Sequence, residues 1–322
     1  MIVWLWSGFV LLVLGFLALD LGVFHRRAHV VGLREALAWT GVWVAVSLAF
    51  AALIHLLYDR HLFGLGLDPS WPLDGRTAML QYLTGYVVEK SLSLDNIFVI
   101  AMIFEYFRVP LSYQHRVLFW GILGALVLRG VMIAAGTVLI HRFDWIVYVF
   151  GAFLLATAFR MLRVEPAPPD PERNLLVRLT RRFYPVSPVY DGQRFFTRVG
   201  GRRAVTPLML ALLLVESSDV LFAVDSIPAV FAITHDPFLV LTSNVFAILG
   251  LRSLFFALAS ALERFPHLKT SLVLVLGFVG VKMLLSNHLH ITAAVSLPVI
   301  LVMLGGGMVA SWRAGRRRVE GA

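Results

Sequence analysis

Long apolar runs alternate with short charged stretches along this chain, and the alternation predicts nine membrane-spanning helices. The runs fall at residues 2–24, 34–57, 77–107, 117–140, 144–163, 205–234, 238–262, 268–286 and 291–312. Each is at least about 18 residues long, enough for a helix to cross the hydrocarbon core. Lipid offers no partners to backbone polar groups, so only helices and closed barrels span it. These runs are too long and too evenly apolar for barrel strands. The expected fold class is therefore an all-α polytopic membrane protein.

Lys and Arg set the expected orientation. The stretches at 25–33, 108–116, 164–204 and 263–267 and the tail after Trp312 are basic, whereas 58–76, 141–143, 235–237 and 287–290 hold only Arg60, Arg76 and Arg142. Basic loops stay in the cytoplasm, so the N-terminus is expected outside and the C-terminus inside. The first apolar run has no leading charge and no small-residue cleavage site, and it reads as a retained helix rather than a signal peptide.

Two runs, 77–107 and 205–234, are about ten residues longer than a bilayer needs, and both carry acids. Glu89-KSLSL-Asp95-Asn96-Ile97 aligns with Asp219-VLFAV-Asp225-Ser226-Ile227. Downstream, Leu128-Arg129-Gly130 aligns with Leu251-Arg252-Ser253, and Arg160-Met161-Leu162 with Lys282-Met283-Leu284. The marks keep their order in two sets of three spans that face opposite ways, which predicts a 3+3 inverted repeat. Secondary transporters are commonly built so, with the substrate site at the repeat interface. The expected organisation is two helices and an outer loop in 1–76, the first repeat in 77–163, a basic cytoplasmic loop in 164–204, the second repeat in 205–290, and a last helix with a basic tail in 291–322. The segment Asn174–Phe183 of the loop has the pattern of an amphipathic helix suited to an anionic leaflet; a solvated linker is the alternative.

An ionisable side chain at membrane depth costs about 2.5–3.5 kcal/mol on the insertion scale and marks a functional site by default. The five acids Glu89, Asp95, Glu216, Asp219 and Asp225 have candidate partners in Lys90, Arg129, Arg160, Arg252 and Lys282, so structural ion pairs are the competing explanation. Glu89 and Asp95 are six residues apart, as are Asp219 and Asp225, which leaves each pair about 120° out of register on a straight helix. Breaks near Ser91–Asp95 and near Ala223–Pro228 are expected to bring the acids together and free backbone carbonyls. Otherwise each helix turns one acid to the site and the other to an ion pair. Asp95 and Asp225 are the expected central pair. Ser91, Ser217, Ser218 and Ser226 are expected to donate to the carboxylates.

Composition narrows the chemistry. The chain of 322 residues is 59% hydrophobic and carries a net charge of +9, with no cysteine. The positive charge follows from the basic loops, and nucleic acid is not implied. Disulfides, thiolate metal sites and cysteine nucleophiles are excluded. Carboxylates, an Asn and backbone carbonyls make a hard-oxygen donor set suited to Mn²⁺, Mg²⁺ or Ca²⁺. His288 and His290 read as exposed loop residues. Metalloprotease, α/β-hydrolase and Walker motifs are missing, so no enzyme is expected.

The runs EKSLSLDNIFVIAMIF and VESSDVLFAVDSIPAVFAIT resemble the two signature segments of the TerC family of integral membrane proteins, and the similarity extends over nearly the whole chain. In length and layout it is nearest the members associated with alkaline pH and manganese efflux. The resemblance implies Mn²⁺ export from a bacterial inner membrane, with Glu89, Asp95, Asn96, Glu216, Asp219 and Asp225 on the metal path and Mn²⁺ as cargo rather than a permanent cofactor. The family name comes from tellurium resistance, but a carboxylate-lined path repels an oxyanion such as tellurite. Exchange for protons through spare carboxylates is a hypothesis. The alternatives are export of another cation such as Ca²⁺, or a membrane scaffold of a stress-resistance complex that docks through the 164–204 loop.

Overall fold

The structure is a computed structural model that describes residues 2–24, 32–68, 72–143, 145–163, 170–172, 174–258, 268–286 and 291–320. It is mostly helical. The long elements are α1 (Ile2–Phe24), α2 (Leu33–Asp59), α3 (Gly75–Phe107), α4 (Leu111–Arg142), α5 (Ile146–Arg163), α7 (Pro207–Phe231), α8 (Pro237–Leu249), α9 (Leu251–Leu258), α10 (Leu268–Leu284) and α11 (Ala293–Glu320). Between α5 and α7 lie a short helix, α6 (Leu175–Phe183), and an antiparallel hairpin of β1 (Phe196–Val199) and β2 (Arg202–Val205). Among the described residues, five helices are long and apolar enough to cross a membrane: α2, α4, α5, α7 and the Ala293–Ser311 part of α11. A sixth is reached if α8 and α9, which meet at 41°, form one bent span. The loop histidines His288 and His290 and the basic stretch 263–267 lie outside the described residues.

Helix ends follow local chemistry. Asp74 caps α3 by accepting from the Thr77 amide at 3.3 Å. Asp236 caps α8 by accepting from the Phe238 and Leu239 amides at 2.9 and 3.2 Å. These caps satisfy amides that have no partner within the first turn. Tyr58 at the end of α2 donates to the same Asp236 at 2.8 Å, which ties α2 to the α7–α8 turn.

The two overlong runs are continuous helices, not the broken ones expected. At 1.5 Å per residue α3 is about 50 Å long, some 20 Å more than the hydrocarbon core. The excess is carried by one continuous helix rather than by two broken halves. The α6–hairpin unit caps one end of it: Tyr190 donates to the Phe107 carbonyl at 2.7 Å and Gln193 to the Ser112 carbonyl at 3.3 Å. Pro228 does not break α7. It sits in the last turn, where its missing amide forfeits one bond, and α7 runs on to Phe231. The break falls instead at Gly250, between α8 and α9.

At the centre of the packing, α3 runs between α2, α7 and α8, and α4 lies across α7 and α8. An aromatic cluster joins the first helices to this core: Phe9 of α1, Phe50 of α2, Tyr82 of α3 and Phe246 of α8, with the Phe50 and Phe246 rings 4.4 Å apart. α5 and α10 pack on each other, and α11 covers α10 and α3. The α5–α10 contact is close because glycines face each other. A methyl group at Gly151 would lie 2.9 Å from Met283 Cβ and 3.1 Å from the Gly280 carbonyl oxygen. Small residues that let helix backbones approach are a principal source of association in lipid. Gly151→Val therefore separates α5 from α10, and a loss of about 1–3 kcal/mol is expected from overpacking. Thermal unfolding of the detergent-purified protein measures it; an unchanged midpoint contradicts the close contact.

Candidate functional site

Glu89 and Asn96 are seven residues apart on α3, nearly two full turns, and so point the same way. Asp219 and Ser226 have the same spacing on α7. The two helices pack side by side and turn these four residues toward each other. Glu89, Asn96, Asp219 and Ser226 are all buried, at 1%, 4%, 8% and 1% exposure. The six-residue partners Asp95 and Asp225 are carried off this face by the same helical geometry.

Arg129 of α4, itself 2% exposed, holds the cluster together. Its guanidinium donates from Nη2 to Asp219 Oδ1 at 3.0 Å and from Nε to Asp219 Oδ2 at 3.3 Å. Nη1 bonds Glu89 Oε1 and also reaches Ser226 Oγ at 3.2 Å and Asn244 Oδ1 of α8 at 3.4 Å. Asn96 Nδ2 donates to Asp219 Oδ1 at 3.2 Å. Two acceptors in this cluster have no donor: Glu89 Oε2 and Asn96 Oδ1. Unpartnered buried oxygens cost free energy unless a proton, a water or a cation meets them. The group has two carboxylates and one guanidinium, a formal charge of −1 when the acids are ionised.

A cleft of about 20 Å³ reaches this cluster between α3, α4 and α7. Asn96, Asp219 and Ser218 supply its polar side, and Ile100, Leu118 and Val215 its apolar side. That volume is room for about one water. Glu216, one turn from Asp219 on α7 and within its electrostatic reach, places its carboxylate against Gly124 of α4. Any Cβ at position 124 would overlap that carboxylate.

The remaining charged residues form other contacts. Asp225 accepts from Thr157 Oγ1 of α5 at 3.0 Å and lies in the field of Arg160. Asp95 lies in the field of Lys269 of α10. Both therefore face the α5–α10 pair and not Arg129; the acids that meet at Arg129 are Glu89 and Asp219, and the expected central pair of Asp95 and Asp225 does not converge there. Lys90 donates to the Ala247 carbonyl at 3.0 Å, beside the break at Gly250. Lys282 donates to Ser296 Oγ at 3.2 Å. Arg252 is buried in α9. The serine expectation is corrected too. Ser91 donates to the Val87 carbonyl, and Ser217 and Ser218 to that of Leu214, each within its own helix. Ser226 is at the site, where it accepts from Arg129. Among the described residues no three acidic or histidine side chains converge as a ready-made metal cage. Asn244, Lys269 and Thr157 were not anticipated. The polar triplet Thr242-Ser243-Asn244 inside the apolar helix run was the available signal for the first.

Residues 74–319 match the integral membrane protein TerC family. The chain is 52% identical over 307 residues to an uncharacterized membrane protein of Myxococcus xanthus, covering 95% of this chain and 91% of that one. It is 48% identical over 301 residues to Alx of Escherichia coli strain K12, named a candidate membrane-bound redox modulator, covering 93% and 91%. An uncharacterized membrane protein of Rickettsia bellii is 39% identical over 306 residues, covering 95% and 96%. No solved structure matches this chain. The chain belongs to the TerC family of integral membrane proteins.

Removing one partner of a buried ion pair costs about 3–5 kcal/mol, whereas a partly exposed carboxylate outside such a pair costs far less. Asp219→Asn is thus expected to lower the thermal midpoint clearly more than Asp225→Asn. Equal midpoints in detergent would contradict the placement of Asp219 in the guanidinium's grip.

Proposed function

We propose that this TerC-family protein is a secondary transporter that carries a hard divalent cation, Mn²⁺ by preference, out of the cytoplasm. The observation that carries the reading is the pair of donorless buried oxygens, Glu89 Oε2 and Asn96 Oδ1, beside a carboxylate pair where two long helices meet. All the groups around them that can ligate are oxygens, from Glu89, Asp219, Asn96, Ser226 and Asn244. Such a set suits Mn²⁺, Mg²⁺ or Ca²⁺ and not soft metals. Mn²⁺ is favoured over the other two by the family resemblance, and competition among the three ions is the direct check.

In this reading the chain has nine spans in a bacterial inner membrane, with the N-terminus outside. Helices α3–α5 and α7–α10 are its two inverted three-helix units. The matched seven-residue pairs, Glu89 with Asn96 and Asp219 with Ser226, support the repeat, as do the buried arginines Arg129 and Arg252. The narrow cleft that reaches Asp219 lies on the side of the α6–hairpin unit, which the basic-loop rule assigns to the cytoplasm. Glu216, one turn from Asp219 on α7, attracts cations and can carry a proton in exchange. Asp95 and Asp225 flank the cluster at its own depths, next to Asn96 and Ser226, and turn toward α10 and α5. The break at Gly250, pinned by Lys90, is the element that can bend as the units rock. Arg178, Arg181 and Arg182 of α6 are suited to anionic headgroups.

A redox role, as the name of the E. coli relative has it, does not run through thiols here, because the chain has no cysteine. The scaffold alternative draws on the exposed Leu175 and Phe183 of α6, at 69% each, and predicts function without flux.

Cells challenged with Mn²⁺ distinguish these readings. At matched membrane levels the wild type is expected to lower cytoplasmic Mn and Asp219→Asn to fail. Asn96→Ala and Ser226→Ala, which remove neutral ligands without stranding a charge, are expected to weaken efflux several-fold. If wild type and variants all resemble cells without the protein, the exporter reading is wrong and the scaffold takes its place.

A further inference from the structure

We infer that Arg129 is a tethered competitor of the transported cation: its guanidinium occupies the ligand oxygens of the site when no cargo is present and must leave them for cargo to bind. The inference rests on the divalent-cation reading above and adds how the site is emptied and refilled.

The argument is one of ligand counting. With Arg129 in place, only Glu89 Oε2 and Asn96 Oδ1 are free. A hard divalent cation takes about six oxygens or more, so two do not hold it. Arg129 itself engages five others: Glu89 Oε1, both oxygens of Asp219, Ser226 Oγ and Asn244 Oδ1. Withdrawing the guanidinium therefore exposes seven oxygens from three helices around one point. Six-coordination is then within reach without a new residue.

Charge gives the same answer independently. Glu89 and Asp219 together carry −2 when ionised, which a divalent cation neutralises. Holding the guanidinium and a dication in the same cluster puts three positive charges on two carboxylates in a space walled by apolar helices, where unbalanced charge is costly. The two occupants exclude each other.

An empty carrier also needs this device. Two bare carboxylates at membrane depth are a large barrier to moving the helices that bear them. Arg129 comes from α4 and binds one carboxylate on α3 and one on α7. It thereby neutralises half of that charge and fastens the two acid-bearing helices to each other in the unloaded state. The neutral side chains Ser226 and Asn244 complete the guanidinium's hydrogen bonds, so its seat is built and not incidental.

The test is Mn²⁺ binding to the full-length protein in lipid nanodiscs, read from loss of the free-ion EPR sextet, for wild type, Arg129→Gln and Arg129→Lys. A competitor removed makes binding tighter: Arg129→Gln is expected to gain at least about tenfold in affinity, with Arg129→Lys in between. Net efflux from proteoliposomes is expected to fall in Arg129→Gln although binding improves. Folded Arg129→Gln that binds Mn²⁺ no better than wild type overturns the inference, because Arg129 then merely positions the acids. If Arg129→Gln does not fold, unchanged affinity in Arg129→Lys overturns it in the same way. Wild type that binds Mn²⁺ while neither variant binds more tightly defeats the competitor alone. No binding by any of the three defeats the cation reading and the competitor with it.

Discussion

A guanidinium held between two carboxylates in the interior of a membrane bundle constrains the rest of this structure. Arg129 on α4 reaches Glu89 on α3 and Asp219 on α7, and none of the three is tolerable there alone. The three helices must approach closely at one level. The aromatic cluster of Phe9, Phe50, Tyr82 and Phe246 braces α3 and α8 from one side. The glycine contact between α5 and α10 builds the other side, where Asp225 and Asp95 find their own partners. Gly124 leaves the space that the Glu216 carboxylate occupies in this arrangement.

Much of this was legible in the sequence, and the misses have a common cause. Hydropathy located every long helix, because burial in lipid leaves no other arrangement for an apolar run. The acid motifs stand out in the sequence, and Arg129 is among their candidate partners. The structure gathers Glu89 and Asp219, not the expected Asp95 and Asp225, on that arginine. Asp95 and Asp225 stand out because both motifs place Asp at the same position, but six residues is about 120° off register. The seven-residue spacing of Glu89 with Asn96 and of Asp219 with Ser226 was present in the same alignment and is the one that geometry favours.

The helix breaks were misplaced for a related reason. A break was needed only to make six-residue partners converge; once the seven-residue partners face the site, α3 and α7 run straight. Pro228 looked like a breaker, yet three residues from a helix end it costs one hydrogen bond. Gly250 gave a weaker signal, yet the break falls there, where Lys90 donates to the Ala247 carbonyl. Lys269 as the neighbour of Asp95 was not readable, since it depends on how α10 leans on α3.

The intramembrane charges fall into two sets. Glu89, Asp219 and Arg129 are compact and half-neutralised, with two oxygens left over. Asp95 and Asp225 are turned away from them, toward cations on α10 and α5. On the proposed reading, an entering cation meets a site already filled by a side chain, so that binding and rearrangement are one event. The most direct measurement is diffraction from crystals of the wild-type protein soaked in Mn²⁺, with data collected across the manganese absorption edge. The account predicts one anomalous peak between Glu89 and Asp219, with the Arg129 guanidinium displaced from both. A peak elsewhere with Arg129 still seated on the two acids would contradict it.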